Sequence, residues 1–431
     1  MKILIVSLYH PELVRGGAQQ IAFELFEGLK QTPGVEPYLL ASADHNSPAL
    51  FKSGARITGF DGRPNEFLFL SYDYDHAWEK GGNVVLIEAF KEFLELIQPD
   101  VVHFHHFLSL GIDLLTLTRR VLPGVKIVFT AHEFLAICPA NGHMVRRTDA
   151  SLCTRASAVR CHQCLPERPP EHYFMREMWM KRHLDAVDVF TTPSRFMISH
   201  YANWGLDESK FVHVTNGLLP RAMPLPVASK GERRNRFGFF AQLVDAKGLH
   251  VLLEAVTLLR AGGFTDFTVE INGDNIHFAT PKRRAEIEAF LAEEEKLPLA
   301  ERNVVFNGSY HHDQLRARMA RVDWVVVPSV WWEIFCLVIS EAWSFGRPVI
   351  ASNAGGPAER VSDGVDGLLF ELGDARALAE AMYRACTEEG LWETLAEGIK
   401  PPPHRAEMVE GFVAVYERTA DLAEKDALSL T

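Results

Sequence analysis

The sequence predicts an α/β protein made of two doubly wound parallel sheets with helical crossovers. Three observations carry that reading. Short β-branched runs alternate with helix-length apolar patterns along the chain. A unit of strand, loop and helix opens the sequence and is used again from residue 236. The length of 431 residues suits two or three domains of roughly 100–200 residues each.

Residues 1–7 read as a buried strand, followed by a loop holding Arg15, Gly16 and Gly17, then a helix over about 18–30 with Ile21, Phe23, Leu25 and Leu29 at apolar positions. A helix over 84–97 and strands over 101–104 and 126–129 continue the alternation, as a parallel sheet requires. Asn216-Gly217, close to Pro220, marks a boundary. Beyond it come a strand at 236–240, a loop at 242–248 and a helix at 249–260, then strands at 267–271, 304–306, 324–327 and 348–351. Pro401, Pro402 and Pro403 stop any helix, and 404–426 then carries Met408, Phe412, Val415 and Tyr416 at helical spacing. The expected division is residues 1–217 with an insert at about 138–182, residues 218–400, and a last helix within 401–431.

Lys and Arg number 44 against 56 Asp and Glu, a net charge of −12, which argues against bulk nucleic-acid binding. The first residues are interrupted by His10, Pro11 and Glu12 too soon for a signal peptide. No run reaches the roughly 18 apolar residues of a spanning helix. A cytoplasmic protein is therefore expected, with its six cysteines as free thiols or metal ligands.

The most informative segment spans residues 328–352, where Glu333 and Glu341 lie eight positions apart. With Glu333 in a loop and Glu341 in the helix after it, both face the carboxyl ends of the strands, where open α/β sheets bind ligands. The backbone N–H groups of Phe335, Cys336 and Leu337 open that helix and suit a phosphate. Two isolated glutamates at this spacing are ordinarily a solvated helix face; here the surrounding residues decide otherwise.

Those residues are Gly16-Gly17, DVVHFHH at 100–106, TPSRF at 192–196, TNG at 215–217, AQLVDAKGLHVLLEA at 241–255, and Gly355, Gly356 and Glu359. Together with the E-x7-E segment they strongly resemble the retaining glycosyltransferases of family 4. The resemblance implies the GT-B fold: two Rossmann-like domains facing a central cleft, the first binding acceptor and the second nucleotide sugar, with a last helix crossing back. It also implies that Glu341 holds the ribose and that Glu333 contacts the donor sugar near its reacting carbon. Lys247 and Gly17, with Gly16 beside it, would meet the diphosphate. Gln242 stands where an Arg is usual and lacks its charge and fork; Cys336 replaces a usual Gly. His105, with His106 as second choice, matches a functional His near donor sugar and acceptor. His132 matches one lining the acceptor cleft, with a hydrogen-bonded structural His as the alternative.

His103 reads as a packed core residue. The H-x-H-H run resembles part of a metallohydrolase cluster, but no Asp follows at the needed spacing. The absence of G-x-G-x-x-G argues against a nicotinamide enzyme. Cys138, Cys153, Cys161 and Cys164 suit either a structural zinc staple or free thiols. Around them, Arg146, Arg147, Arg155, Arg160, Arg168, Arg176, Lys181 and Arg182 outnumber Asp149, Glu167, Glu171 and Glu177. With Tyr173, Phe174, Met178 and Trp179 interleaved, residues 146–182 suit an anionic membrane surface or lipid-linked acceptor, or a solvated helix with its aromatics packed inward. Trp331 and Trp332 suit sugar stacking or core filling.

The expected activity is transfer from a UDP- or GDP-linked sugar to a glycan or lipid-linked acceptor, in polysaccharide or glycolipid synthesis, at the cytoplasmic face of the membrane. Catalysis is expected to need no metal and no covalent intermediate, the leaving phosphate acting as base. The rival readings are a nucleotide-sugar epimerase or hydrolase of the same fold, a non-catalytic nucleotide-sugar or glycan-binding protein and, third, a zinc hydrolase.

Overall fold

The computed structural model describes residues 1–14, 16–43, 55–60, 62–70, 74–81, 84–218 and 233–418. Arg15, Pro220 and the 419–426 end of the expected last helix lie outside these residues. Two compact units form: residues 1–219 with 403–431, and residues 220–402.

Unit 1 contains strands β1 (Lys2–Ser7), β2 (Glu36–Ser42), β3 (Ile57–Gly59), β4 (Glu66–Phe69), β5 (Tyr74–Asp75), β6 (Lys80–Gly81), β7 (Val101–Phe104), β8 (Lys126–Thr130), β9 (Val189–Thr192) and β10 (Phe211–His213). Its main sheet runs β10-β9-β8-β7-β1-β2-β4-β3, with β5 and β6 pairing apart. Neighbours are parallel except β3 on β4. Every residue of β7 is buried, as a central parallel strand covered on both faces requires.

The helix Arg405–Glu417 belongs to this unit and packs against the helix Gly17–Leu29. Met408, Val409, Phe412, Val415 and Tyr416 form its buried face. A Cβ on Gly28 would lie 2.4 Å from Val409, so glycine lets the two helices approach. Lys126 Nζ donates to the Tyr416 and Arg418 carbonyls, satisfying groups that the helix end leaves open.

Unit 2 contains β11 (Arg236–Phe240), β12 (Thr268–Asn272), β13 (Val304–Gly308), β14 (Trp324–Val327), β15 (Val349–Ser352) and β16 (Gly367–Phe370). All are parallel, in the order β13-β12-β11-β14-β15-β16. The helices Leu249–Ala261 and Ala375–Thr387 join the core over this sheet with apolar faces. The sequence reading does not anticipate β16, nor β2, β4 and β9 of unit 1.

Candidate functional site

In unit 2 the chain leaves β11 toward β12 on one side and returns through β14 on the other. The carboxyl ends of β11 and β14 therefore flank the point where strand order reverses, the ligand position of open α/β sheets. Gly248 has φ +71°, and a Cβ on it would lie 1.8 Å from the Pro328 carbonyl oxygen. Glycine is what lets the loop after β11 lie against the loop after β14. Val330 N–H donates to Ala246 O across the same contact at 2.9 Å.

The contact brings Lys247 Nζ to 2.6 Å from Glu333 Oε2. That oxygen also accepts from Ser329 Oγ and Trp331 Nε1, each at 3.0 Å. Glu333 is only 7 % exposed, and a buried carboxylate needs such partners. Burial works against the Lys247 charge, but Glu333 outweighs it and holds the ammonium above its ordinary pKa. The Trp331 ring lies 5.3 Å from Lys247 Nζ and builds the site rather than the core.

A third loop, after β15, fixes the backbone beneath this pair. Gly356 N–H donates to Glu333 O at 2.6 Å, and a Cβ on Gly356 would meet Ile334 O at 2.3 Å. The Arg360 guanidinium donates to the Phe335 and Cys336 carbonyls at 2.8 and 2.9 Å, and its centre lies 3.8 Å from the Phe335 ring. Cys336 adopts φ +61°, a left-handed conformation that explains why glycine suits this position. Burial pushes its thiol up to about 12, so it is no nucleophile. Leu337 opens the helix Leu337–Ser344, on which Glu341 is half-buried. The Tyr310 hydroxyl is pushed up by burial and then by the Glu341 charge, which places these two side chains near each other. Gln242 is exposed.

Unit 1 reverses its strand order between β1 and β7. Gly16 and Gly17 start the helix that follows β1, and Gly17 is exposed at its first position. His105 and His106 follow β7, and His132 and Glu133 follow β8. His105 Nδ1 lies 2.9 Å from His132 Nε2, while His105 Nε2 is buried with no hydrogen-bond partner. His103 is fully buried; its Nδ1 bonds the Tyr416 hydroxyl at 2.7 Å and its Nε2 bonds Thr130 Oγ1 at 2.6 Å. The His103 and His105 ring centres are 4.2 Å apart, so the last helix supports His105 through His103.

His106 Nδ1 accepts from the Phe107 and Leu108 N–H groups, which leaves its proton on Nε2, 3.6 Å from Glu133 Oε1. Burial lowers His106 to about 4 and His132 to about 3, and burial with neighbouring imidazoles lowers His105 well below its ordinary value. These rings are neutral at pH 7. Burial also raises Glu133 to about 8 and Glu79 to about 7. Glu133 accepts the Leu135 N–H, and Glu79 accepts from the Tyr74 hydroxyl at 2.8 Å.

Sequence reasoning missed Ser329, Arg360, Glu79 and Glu133. For Glu133 a signal existed: a carboxylate directly after His132 at the end of an apolar strand. The insert divides between its two readings. Tyr173 is buried and Trp179 Nε1 donates to Trp78 O at 2.8 Å, whereas Phe174 and Met178 are exposed. The four insert cysteines line one small cavity. Among the described residues, no three His, Cys, Asp or Glu side chains stand where they could hold a metal ion, and no helix is long and apolar enough to cross a membrane.

Residues 15–218 match the family described as Glycosyltransferase Family 4, and residues 234–388 match Glycosyl transferases group 1. The chain is 25 % identical over 399 residues to glycogen synthase of Mycobacterium tuberculosis, covering 89 % of this chain and 85 % of that one. It is 28 % identical over 183 residues to an uncharacterized 41.2 kDa protein in the cps region of Klebsiella pneumoniae, covering 42 % of this chain and 45 % of that one. Among solved structures, Anabaena Alr3699/HepE in complex with UDP and glucose matches with a TM-score of 0.66 at 17 % identity, over 97 % of this chain and 100 % of that one. That likeness is one of fold, and the fold is GT-B.

Proposed function

Starting from a glycosyltransferase of the GT-B type, we propose that this chain moves a sugar from a nucleoside diphosphate sugar to an acceptor hydroxyl with retention of configuration, in polysaccharide or glycolipid synthesis. The observation that carries the reading is the Lys247–Glu333 pair at the carboxyl ends of β11 and β14. An arriving diphosphate competes with Glu333 for the ammonium. A carboxylate released from that pair can accept two sugar hydroxyls.

In this reading Glu341 holds the ribose. Lys247, the N–H groups of Phe335, Cys336 and Leu337, and Gly17 with Gly16 hold the diphosphate. Gln242 donates a neutral hydrogen bond there. The bond from the sugar C1 to the leaving diphosphate oxygen breaks, and the acceptor oxygen bonds C1 on the same face. The acceptor proton goes to the leaving phosphate oxygen. Negative charge on Glu333 favours the cationic character that develops at C1. Neutral His105 offers its buried Nε2 to the reacting hydroxyls, with His106 and His132 on the acceptor side. A lipid-linked acceptor would be met at the inner face of the membrane through residues 146–182, where Phe174 is 54 % and Met178 51 % exposed.

The test is thermal stabilisation by UDP, GDP, ADP and their sugars, since a ligand of the native state raises stability by RT ln(1 + [L]/Kd). UDP is tried first because the Anabaena protein binds it. We expect one base to shift the melting temperature and Glu341→Ala to abolish that shift. No shift with any of them would overturn the reading, and donor turnover without acceptor would favour the epimerase or hydrolase.

A further inference from the structure

We propose that His132 is a positioning residue: through its Nε2 it holds the proton of His105 on Nδ1, which leaves His105 Nε2 as a bare acceptor for a sugar hydroxyl. The inference rests on the transferase reading for the identity of that hydroxyl, and on the histidines of unit 1 for the rest. A neutral imidazole carries one N–H donor and one acceptor nitrogen. Which nitrogen holds the proton is set by the bond that the other makes.

The parallel strands β7 and β8 pair Phe104 with Phe129 at their carboxyl ends, so His105 and His132 leave neighbouring strands at the same end of the sheet. Among the described residues, the other groups around His105 are committed elsewhere. His103 lies against it, but its Nδ1 bonds the Tyr416 hydroxyl and its Nε2 bonds Thr130 Oγ1. His106 turns its Nδ1 to two backbone N–H groups. Phe412, with its ring centre 6.1 Å away, offers no polar atom. His105 Nδ1 therefore meets His132 Nε2 at 2.9 Å, with the two rings stacked 24° from parallel.

One proton serves that contact, and two arrangements are open to it. If His132 Nε2 donates, the His105 proton sits on Nε2, which is buried with no acceptor. If His105 Nδ1 donates, His105 Nε2 keeps a lone pair and His132 carries its own proton on Nδ1. Buried N–H donors without a partner are rarer than buried acceptors without one. His132 is half-buried and its Nδ1 is not among the buried unpartnered atoms, so a proton there can be met. Both considerations select the second arrangement. Burial keeps the two rings neutral, so the choice is one of tautomer and not of charge. Its consequence is selectivity: a bare Nε2 accepts from a group with a proton to give, and repels a carboxylate or carbonyl oxygen that would face it lone pair to lone pair.

The test is NMR of the full chain carrying nitrogen-15 histidine, where proton–nitrogen correlations separate protonated from bare ring nitrogens. The His105 signals are identified by their loss in His105→Gln. We expect Nδ1 protonated and Nε2 bare in the native protein. His132→Leu removes the acceptor and should move the proton to Nε2, whereas His132→Gln, whose amide oxygen can stand where Nε2 stands, should keep it on Nδ1. With the donor found by thermal shift, His132→Leu is expected to lower kcat at least about tenfold, as losing the group that orients an imidazole does, with the donor KM little changed. His132→Gln should recover most of that loss. A native proton on Nε2 would overturn the proposal, as would equal losses in the two variants; if His132→Leu does not fold, the native spectrum decides. The spectrum is read without nucleotide, so a missing nucleotide shift would remove the transferase reading and leave the tautomer assignment standing.

Discussion

The two units place their candidate residues at the same point of the same kind of sheet, yet they handle charge in opposite ways. In unit 2 an ammonium and a carboxylate are buried together, Lys247 on Glu333 at 2.6 Å. In unit 1 the histidines are held neutral and the two acids beside them are pushed toward protonation. A site that stores an exchangeable cation suits an anionic ligand, and one lined by neutral histidines suits hydroxyl groups. The contrast is one of environment, since both sites sit in loops at the carboxyl ends of parallel strands beside a reversal of strand order.

Breaking the charged site should have the largest effect. Lys247→Ala is expected to lower transfer by about 10²–10³-fold, the size of losing one preorganised donor at a developing negative charge. Ser329 and Trp331 still hold Glu333, so the fold should remain. Steady-state kinetics with the donor identified by thermal shift, together with circular dichroism, would check this; a loss of only a few-fold would remove the contrast.

The uncharged site is sharpened by Glu133→Gln. The wild-type carboxyl titrates near its ordinary 4.5 when unfolded and at about 8 when folded, so the native state holds the proton more tightly. Its stabilising contribution is complete below about pH 4.5 and is lost as pH rises through about 8. Glutamine cannot ionise, so the variant should gain on the wild type as pH rises. At about 1.4 kcal/mol per pKa unit, reduced because Glu133 is 19 % exposed, we expect roughly 2–3 kcal/mol. Urea unfolding at acid and alkaline pH reads it directly, and an equal difference at both would refute it.

The smallest effect tests backbone strain under the charged site. Cys336 at φ +61° should make Cys336→Gly more stable than Cys336→Ala by about 1 kcal/mol, because alanine keeps the left-handed penalty and glycine does not. Melting temperatures of the two variants decide the matter; alanine equal to or above glycine contradicts the assigned conformation.

Much of the charged site was legible because its members are rare types at fixed spacing. Glu333, Glu341 and Lys247 stand out beside the glycines of 355–356, and β11, β14 and β15 announce themselves as apolar runs. What the sequence could not convey is who touches whom. The pairing of Lys247 with Glu333 depends on the Gly248–Pro328 contact, which joins segments 80 positions apart. Arg360 reads as a surface arginine until its carbonyl partners are seen. In unit 1, Glu79 and Glu133 look like solvated acids, and burial by the assembled fold alone changes their chemistry. His103 was legible as core, but its bond to Tyr416 spans 313 positions and leaves no trace in local pattern.

That bond has a consequence for the order in which the protein is made. Unit 2 is complete when the ribosome reaches residue 402, while unit 1 still lacks the helix Arg405–Glu417. Domains generally fold as units during synthesis, the N-terminal one first; here the N-terminal unit is the one that finishes last. Until Tyr416 emerges, His103 Nδ1 has no hydroxyl to bond and the apolar face over Gly28 stays uncovered. A nascent chain therefore carries a finished second unit before the histidine layer of the first is set, and the synthesis of the helix Arg405–Glu417, not domain order, fixes the moment at which both are in place.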